Sequence, residues 1–204
     1  MSSIKSICFD LDGVYFTPKG KNSFHQALIE EYGASKEVID DLMRKSVEMA
    51  KLVRGQISPT DFWKRVREIT GIKATDEELT ARWVRDYEVN PDVQAVVRKV
   101  KAAGYKTCVC TNNNGIRLPI LVERFHLLED FDAIVSSHEI GETKPHKEIF
   151  QALLARLNIK PEELIYSDDN SERLAGASDL GIQTFVYENF KQFVGELRKR
   201  GITV

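Results

Sequence analysis

Short apolar runs alternate with segments of helical periodicity over the second half of the chain. The runs at residues 105–110, 133–136, 164–166 and 183–186 are typical of buried strands, and the segments between them repeat apolar residues at helical spacing. A further apolar run at residues 4–9 adds a strand near the start of the chain. Strands that alternate with helices form right-handed parallel crossovers. The pattern therefore predicts an α/β fold with a doubly wound, Rossmann-like parallel sheet.

A segment with a different pattern separates the first predicted strand from the others. From about residue 21 to 88, apolar residues recur at helical spacing alone. Two helix starts agree with this period: Ser58 precedes a proline, and Thr75 stands three residues before Glu78 in a capping-box arrangement. The pattern predicts four helices and no strand, inserted after the first strand.

The length and composition fit one substantial domain, or one domain with a modest insertion. The chain has 204 residues, 42% of them hydrophobic, and its 29 basic and 31 acidic residues give a formal net charge of −2. This balance argues against a protein that coats nucleic acid or an anionic membrane. The charge is unevenly placed, because residues 44–73 hold eight basic and three acidic side chains. Solvated helix faces explain this excess, and the alternative is that Lys51 or Arg54 attracts an anionic substrate.

The cysteines and the N-terminus bear on the cellular compartment. Cys8, Cys108 and Cys110 all lie within apolar runs and show no Cys-x-x-Cys spacing, which favours buried thiols in a reducing compartment. The first five residues carry no long apolar stretch, and no uninterrupted run approaches the roughly 18 residues of a membrane helix. We therefore expect a cytoplasmic protein without membrane contact; the sequence leaves monomer and homodimer equally open.

Polar side chains follow the predicted strands at the edge where parallel sheets bind ligands. They include a hydroxyl, an ammonium group and four carboxylates, namely those of Thr111, Lys144, Asp10, Asp12, Asp168 and Asp169. Carboxylates packed closely repel one another unless a cation lies among them, and ligation by oxygen alone favours Mg²⁺. Beside such an ion, a lysine and a threonine hydroxyl suit a phosphoryl group. Asp10 is then a candidate nucleophile, and Asp12 a candidate acid and base for the leaving oxygen and for water.

Four motifs together resemble those of the haloacid dehalogenase superfamily. These are Asp10-Leu11-Asp12-Gly13-Val14 after a strand, Thr111 at the end of a second strand, Lys144 before a proline, and Asp168-Asp169 after a third strand. The resemblance covers essentially the whole chain. It implies a Mg²⁺-dependent phosphohydrolase that forms an aspartyl-phosphate, with a core domain at residues 1–14 and 89–204. Residues 15–88 would form a helical cap and a flap, the flap at about residues 14–21.

The resemblance also assigns roles to single residues. It implies that Asp10 is nucleophile and metal ligand, and that Asp12 is the general acid and base and binds the metal through its backbone carbonyl. Thr111 and the Asn112 backbone would hold phosphoryl oxygens, and Lys144 would neutralise charge. Asp169 would bind the metal, with Asp168 as a second ligand or an orienting group.

The helical insertion resembles the cap of the helical-cap subclass. The stretches at residues 54–58 and 168–172 look most like the sugar-phosphate phosphatases of that subclass, including glucose-1-phosphate phosphatase-like proteins. Many relatives carry Asp or Asn where this chain has Arg173, which puts the support of Asp169 in question. The predicted function is hydrolysis of a small phosphorylated metabolite, with a sugar phosphate favoured and Arg54 a candidate for binding it.

Other functions remain open at the sequence level, some of them on the same fold. A phosphomutase would return the phosphoryl group to the substrate, and a non-catalytic protein would only bind a phosphorylated ligand. A dehalogenase needs no leaving-group acid, so Asp12 counts against that activity. A phosphoryl-receiving signalling module would be shorter and would lack the helical insertion.

Overall fold

The computed structural model describes residues 3–204, with the side chains of residues 21 and 22 outside the described part. The expected core domain therefore includes two residues outside the described part, residues 1 and 2. The side chain of residue 21, at the end of the expected flap, also lies outside it. In the part of the chain that the structure describes, no helix combines the length and the apolar character needed to cross a membrane.

A five-stranded parallel sheet forms the centre of the fold, in the order β3-β2-β1-β4-β5. The strands are β1 (Ser6–Phe9), β2 (Lys106–Thr111), β3 (Ala133–Ser136), β4 (Leu164–Asp168) and β5 (Gln183–Val186). Because successive side chains point to opposite faces, each strand supplies apolar residues to two separate buried clusters. This arrangement confirms the expected doubly wound α/β fold.

Helices cover both faces of the sheet and form the insertion between β1 and β2. Those of the insertion are α1 (Pro18–Glu30), α2 (Lys36–Arg44), α3 (Val47–Val53), α4 (Pro59–Thr70) and α5 (Asp76–Val84). Those around the sheet are α6 (Pro91–Ala102), α7 (Arg117–Arg124), α8 (Leu127–Asp130), α9 (Ser137–Ile140), α10 (Lys147–Leu157), α11 (Ala175–Asp179) and α12 (Phe190–Lys199). Two 3₁₀ turns, at Pro161–Glu163 and Ser171–Leu174, flank β4. The five helices α1–α5 are called the cap below.

The cap has a core of its own. Phe24, Phe62, Trp63 and Trp83 pack ring against ring at its centre, apart from the two clusters on the sheet. Large aromatic side chains bury much apolar area, so this cluster holds the short cap helices together. The aromatic residues are thus packing residues of the insertion.

The prediction of four cap helices was wrong, because the described part of the insertion holds five. Ser46 ends the helical register after α2, and its hydroxyl accepts a hydrogen bond from the backbone N–H of Met49 to start α3. Only Leu52 of α3 is buried, so this helix leaves little apolar period to detect. The caps predicted at Ser58 and Thr75 are both present, the latter as a complete capping box.

Candidate active site

The ends of β1, β2 and β4 bring the predicted residues to one edge of the sheet. Phe9 stands opposite both Val109 and Ser167, so Asp10, one residue further along, lies level with Asp168. The backbone N–H of Asp10 continues the ladder by donating to the Ser167 carbonyl at 3.0 Å. Parallel strands in register therefore place two carboxylates side by side, although they are far apart in sequence.

Lys144 lies at the centre of this edge with its side chain fully buried. Its Nζ donates to Asp10 Oδ1 at 2.9 Å, to Asp168 Oδ2 at 2.6 Å and to the hydroxyl of Tyr166 at 2.8 Å. Burial alone would lower the pKa of Lys144, but the charges of Asp10 and Asp168 outweigh burial and hold that pKa above its usual range. Lys144 is therefore a fixed ammonium group.

Asn112 holds the Lys144 loop against the end of β2. Its side-chain Nδ2 donates to the Lys144 carbonyl at 3.1 Å, and its Oδ1 accepts from the Lys144 backbone N–H at 2.8 Å. These paired bonds fix the lysine relative to Thr111, the last residue of β2. The Asn112 side chain thus orients the lysine, a contribution separate from that expected of its backbone.

Burial sets the proton affinity of Asp10. Desolvation raises the pKa of Asp10 to about 6; Lys144 lowers it, while Asp168 and Asp12 raise it. Burial also raises the pKa of Asp168, but Lys144 outweighs burial there and keeps that pKa below its usual value. The Lys144 charge alone therefore does not fully compensate the buried carboxylates, which fits a place for a second cationic group beside them.

Three carboxylates are arranged for such a cation. Oxygen atoms of Asp10, Asp168 and Asp169 lie within 4.8 Å of one another. Oδ2 of Asp10 and the Thr111 hydroxyl are buried and make no hydrogen bond in the described part of the chain. Gly13 has a φ of +99°, and a Cβ there would collide with the Asp169 carboxylate, so a side chain at this position would displace a candidate metal ligand. The Asp12 side chain lies outside this group of three.

Arg173 reaches into the same cluster. Its Nη1 lies 3.6 Å from Asp10 Oδ2 and 3.9 Å from a carboxylate oxygen of each of Asp168 and Asp169. Where relatives were expected to carry Asp or Asn, this chain therefore presents a guanidinium to all three candidate metal ligands.

The structure places Arg54 at the rim of the site, beside the loop that carries Lys144. Arg54 follows α3, and its Nη2 donates to the Thr143 hydroxyl at 3.3 Å while its Nε lies 3.8 Å from Glu142. Both partners belong to the loop that carries Lys144. Next to it, Gly55 has a φ of +67° and packs so closely on the backbone of His138 that a Cβ would collide with the carbonyl. The loop after α3 is therefore a contact between the cap and the edge of the sheet.

Two residues of the site, Tyr166 and Arg117, were not predicted from the sequence. Tyr166 lies within β4, two residues before Asp168 and hence on the same face, and its hydroxyl bonds both Lys144 and Asp168. Because residues two apart in a strand face the same side, the sequence could have placed Tyr166 beside Asp168. Arg117 begins α7, and its Nη2 donates to Asp12 Oδ2 at 3.2 Å. No local pattern marks a helix-initial arginine as part of a distant site.

The fold and these residues define a hydrolase of the haloacid dehalogenase type. The model of the haloacid dehalogenase-like hydrolase family matches residues 4–181, so the chain belongs to that family, as its motifs indicated.

Several relatives give the match its context. The chain is 26% identical to the D-ribitol-5-phosphate phosphatase of Bacteroides thetaiotaomicron, over 95% of this chain and 97% of that protein. It is 23% identical to the bifunctional epoxide hydrolase 2 of Sus scrofa over 97% of this chain, and spans 39% of the length of that larger protein. The fold matches that of a family enzyme from Bacteroides thetaiotaomicron, crystallised with magnesium and inorganic phosphate, with a TM-score of 0.76 at 22% identity, covering 94% of this chain and 99% of the other.

Proposed function

We propose that the protein is a Mg²⁺-dependent phosphomonoesterase that acts on a small phosphorylated metabolite, with a sugar phosphate favoured. The observation that carries this proposal is the buried arrangement of Asp10, Lys144 and Asp168 beside Thr111, with Asp169 completing three carboxylates around one position. The similarity to a sugar-alcohol phosphate phosphatase over nearly the full length of both chains supports the same class of substrate.

The proposed mechanism uses Asp10 as the nucleophile. A carboxylate oxygen of Asp10 attacks phosphorus, the bond from phosphorus to the leaving oxygen breaks, and Asp12 donates a proton to that oxygen. Asp12 then accepts a proton from the water that attacks the phosphoryl group on Asp10, which releases inorganic phosphate and restores both carboxyl groups. Because the same residue gives and takes the proton, the cycle closes without another co-reactant.

The other residues bind the phosphoryl group and hold its charge. The Thr111 hydroxyl and the backbone N–H of Asn112 donate to phosphoryl oxygens, and the Lys144 ammonium offsets negative charge beside Asp10. Mg²⁺ bound by Asp10, Asp169, Asp168 and the backbone carbonyl of Asp12 would supply further positive charge where it develops. We further propose that residues 1–14 and 89–204 form the core domain and residues 15–88 a flap and cap domain, in which Arg54 binds the substrate.

The first test measures release of inorganic phosphate from an aryl phosphate with Mg²⁺ present. Wild-type protein should turn over, EDTA should abolish the activity, and added Mg²⁺ should restore it. Asp10→Asn should lower kcat by about 10³-fold or more, since an amide cannot form the intermediate. Asp41→Asn removes one charge from an exposed position on α2 and serves as the matched control.

Two results would contradict the proposal. Activity that survives both EDTA and Asp10→Asn would exclude this mechanism, and absence of turnover across a broad panel of phosphate esters would favour a protein that only binds phosphorylated ligands. A phosphomutase would instead transfer the phosphoryl group to a second position of a sugar without releasing phosphate.

A further inference from the structure

Arg117 is a buried arginine beside the proposed acid and base. It begins α7, and only 8% of its surface is exposed. One end of its guanidinium donates to Asp12 Oδ2 at 3.2 Å, and the other donates to the hydroxyl of Tyr87. Burying a guanidinium is costly unless it is paired, so this position needs a specific partner for its charge. The structure provides Asp12.

The same guanidinium lies against aromatic rings at the end of the cap. Its central carbon stands 5.1 Å from the centre of the Trp83 ring and 5.8 Å from that of Tyr87. Trp83 belongs to α5 and to the aromatic core of the cap, whereas Tyr87 lies in the segment that leads from α5 back to the sheet. Arg117 therefore joins three parts of the chain: the turn after β1, the start of α7 and the end of the cap.

The hydrogen bond from Arg117 restricts the orientation of the Asp12 carboxylate. A guanidinium held by stacking and by a second hydrogen bond has few other orientations, so it presents its N–H to Asp12 in one direction. Proton transfer requires a donor within hydrogen-bond reach of the reacting oxygen, and small misplacements of a catalytic group cost large factors in rate.

We propose that Arg117 is a positioning residue that holds Asp12 for proton transfer. Its contacts with Trp83 and Tyr87 also link the orientation of Asp12 to the packing at the end of the cap. The inference rests on the proposed phosphatase function, because it assigns Arg117 a role only through Asp12. Arg117 itself moves no proton in the reaction.

The need of the leaving group for a proton distinguishes this role from a purely structural one. An alkoxide leaves poorly unless it is protonated, whereas p-nitrophenolate leaves readily without a proton. The constant kcat/KM reports the steps up to transfer of the phosphoryl group to Asp10, which include protonation of the leaving oxygen. Loss of Arg117 should therefore affect an alkyl phosphate much more than p-nitrophenyl phosphate.

The experiment compares kcat/KM for glycerol phosphate and p-nitrophenyl phosphate. Arg117→Met keeps an apolar stem against Trp83 but removes the charge, and should lower kcat/KM about 10–100-fold for the alkyl ester and less than about threefold for the aryl ester. Arg117→Lys keeps a charge without the planar fork and should fall between Met and wild type. Tyr87→Phe removes the hydroxyl that accepts from Arg117 and also bonds Asp12, so it should shift the ratio in the same direction.

Arg124 provides the matched control. It lies on the same helix and also touches the end of the cap, since its Nη1 donates to the Val84 carbonyl at 2.8 Å. Its guanidinium hydrogen bonds go to the backbone carbonyls of Val84 and Arg85. Arg124→Met should leave the ratio of the two constants unchanged. In an Asp12→Ala background, Arg117→Met should add no further selective loss, because its effect passes through Asp12.

The outcomes separate the two proposals. Equal losses for both esters in Arg117→Met, or full additivity with Asp12→Ala, would overturn the positioning role while leaving the phosphatase intact. Absence of wild-type turnover on both esters and on the broader panel of phosphate esters would overturn the phosphatase function and the role of Arg117 with it. If Arg117→Met fails to fold, as judged by circular dichroism, Arg117→Lys decides by the same ratio: a selective loss for the alkyl ester supports the positioning role, and equal losses for the two esters overturn it.

Discussion

Arg173 places a positive charge among the three carboxylates that could hold a cation. Its distances to Asp10, Asp168 and Asp169 are 3.6–3.9 Å, longer than direct hydrogen bonds but short enough for strong attraction at a partly buried site. A divalent ion entering this cluster would meet that charge. Arg173 would therefore weaken metal binding while supporting the metal-free protein.

Replacing Arg173 tests this balance directly. Arg173→Met should tighten Mg²⁺ binding by about tenfold or more, because a repulsive charge beside the three carboxylates is removed. The same variant should melt at a lower temperature in EDTA, because the carboxylates lose a partner. Isothermal titration calorimetry and thermal melts measure these two effects without any substrate.

Arg198→Met removes a comparable charge near the C-terminus, where Arg198 bonds the backbone of Val204. It should change neither quantity. Weaker Mg²⁺ binding in Arg173→Met would show instead that the arginine supports the ligands.

The sequence could identify the polar residues that follow strand ends, but it did not identify Arg117, which starts a helix. Asp10, Thr111 and Asp168 could be predicted because a strand end fixes where a side chain lies. Arg117 could not, because its place depends on how the first turn of α7 meets Asp12 and the cap, and only tertiary packing sets that relationship.

Among the elements, α8 has a role out of proportion to its length. Its last residue, Asp130, is buried and accepts hydrogen bonds from the Tyr15 hydroxyl at 2.6 Å, from Gln94 at 2.9 Å and from Arg98 at 2.7 Å. Tyr15 follows the Asp12 turn, and the other two donors belong to α6. One short helix thus ties the turn that carries Asp12 to the body of the sheet domain.

Asp130→Asn should lower the free energy of unfolding by about 2 kcal/mol at pH 7, since it weakens several hydrogen bonds to a charged group. Burial raises the pKa of Asp130, but the bonds from Arg98, Tyr15 and Gln94 outweigh burial and hold it below the usual value of 3.8. A depressed folded-state pKa gives stability that is present above the unfolded-state pKa and is lost as the pH falls through the folded-state value. The difference between wild type and variant should therefore persist at pH 5 and narrow only below about pH 4.

Urea denaturation at several pH values measures that difference. Glu129→Gln removes a charge one residue away from an exposed side chain and serves as the control. A loss of stability in Asp130→Asn that stays constant down to pH 3 would show that packing, and not the charge, is responsible.

The length of an element and the residues that flank it determine whether its pattern can be recognised in the sequence. The strands at Ala133–Ser136 and Gln183–Val186 and the helix Lys147–Leu157 have the predicted bounds, because long or clearly flanked apolar patterns specify them. The four-residue helices α8 and α9 and the seven-residue α3 were missed, since so few residues complete too little of a helical period to be recognised.

In the whole molecule, the uneven distribution of charge between the cap and the rest of the chain bears most directly on function. The net charge of −2 conceals a basic stretch at residues 44–73 and a more acidic remainder that includes the carboxylate cluster. Arg54 lies within this stretch and touches the loop that carries Lys144, whereas Lys51 is exposed one turn earlier on α3. If the cap attracts a phosphorylated substrate, the side chains nearest the rim should matter more than basic residues elsewhere on the cap.

Replacing both Lys51 and Arg54 with Ala should therefore raise KM for a sugar phosphate about 10-fold or more while changing kcat little, because loss of binding shared by ground and transition states appears in KM alone. Lys64 and Arg65 carry the same total charge in exposed positions on α4, so their double Ala variant is the matched control.

Steady-state kinetics at low and physiological salt would separate the possibilities. Equal increases of KM in both variants, each abolished by salt, would mean that the net charge of the cap attracts the substrate from a distance. A selective and salt-resistant increase in the Lys51 and Arg54 variant would assign direct binding to the rim, whereas an unchanged KM in both would leave the basic stretch as solvated helix surface.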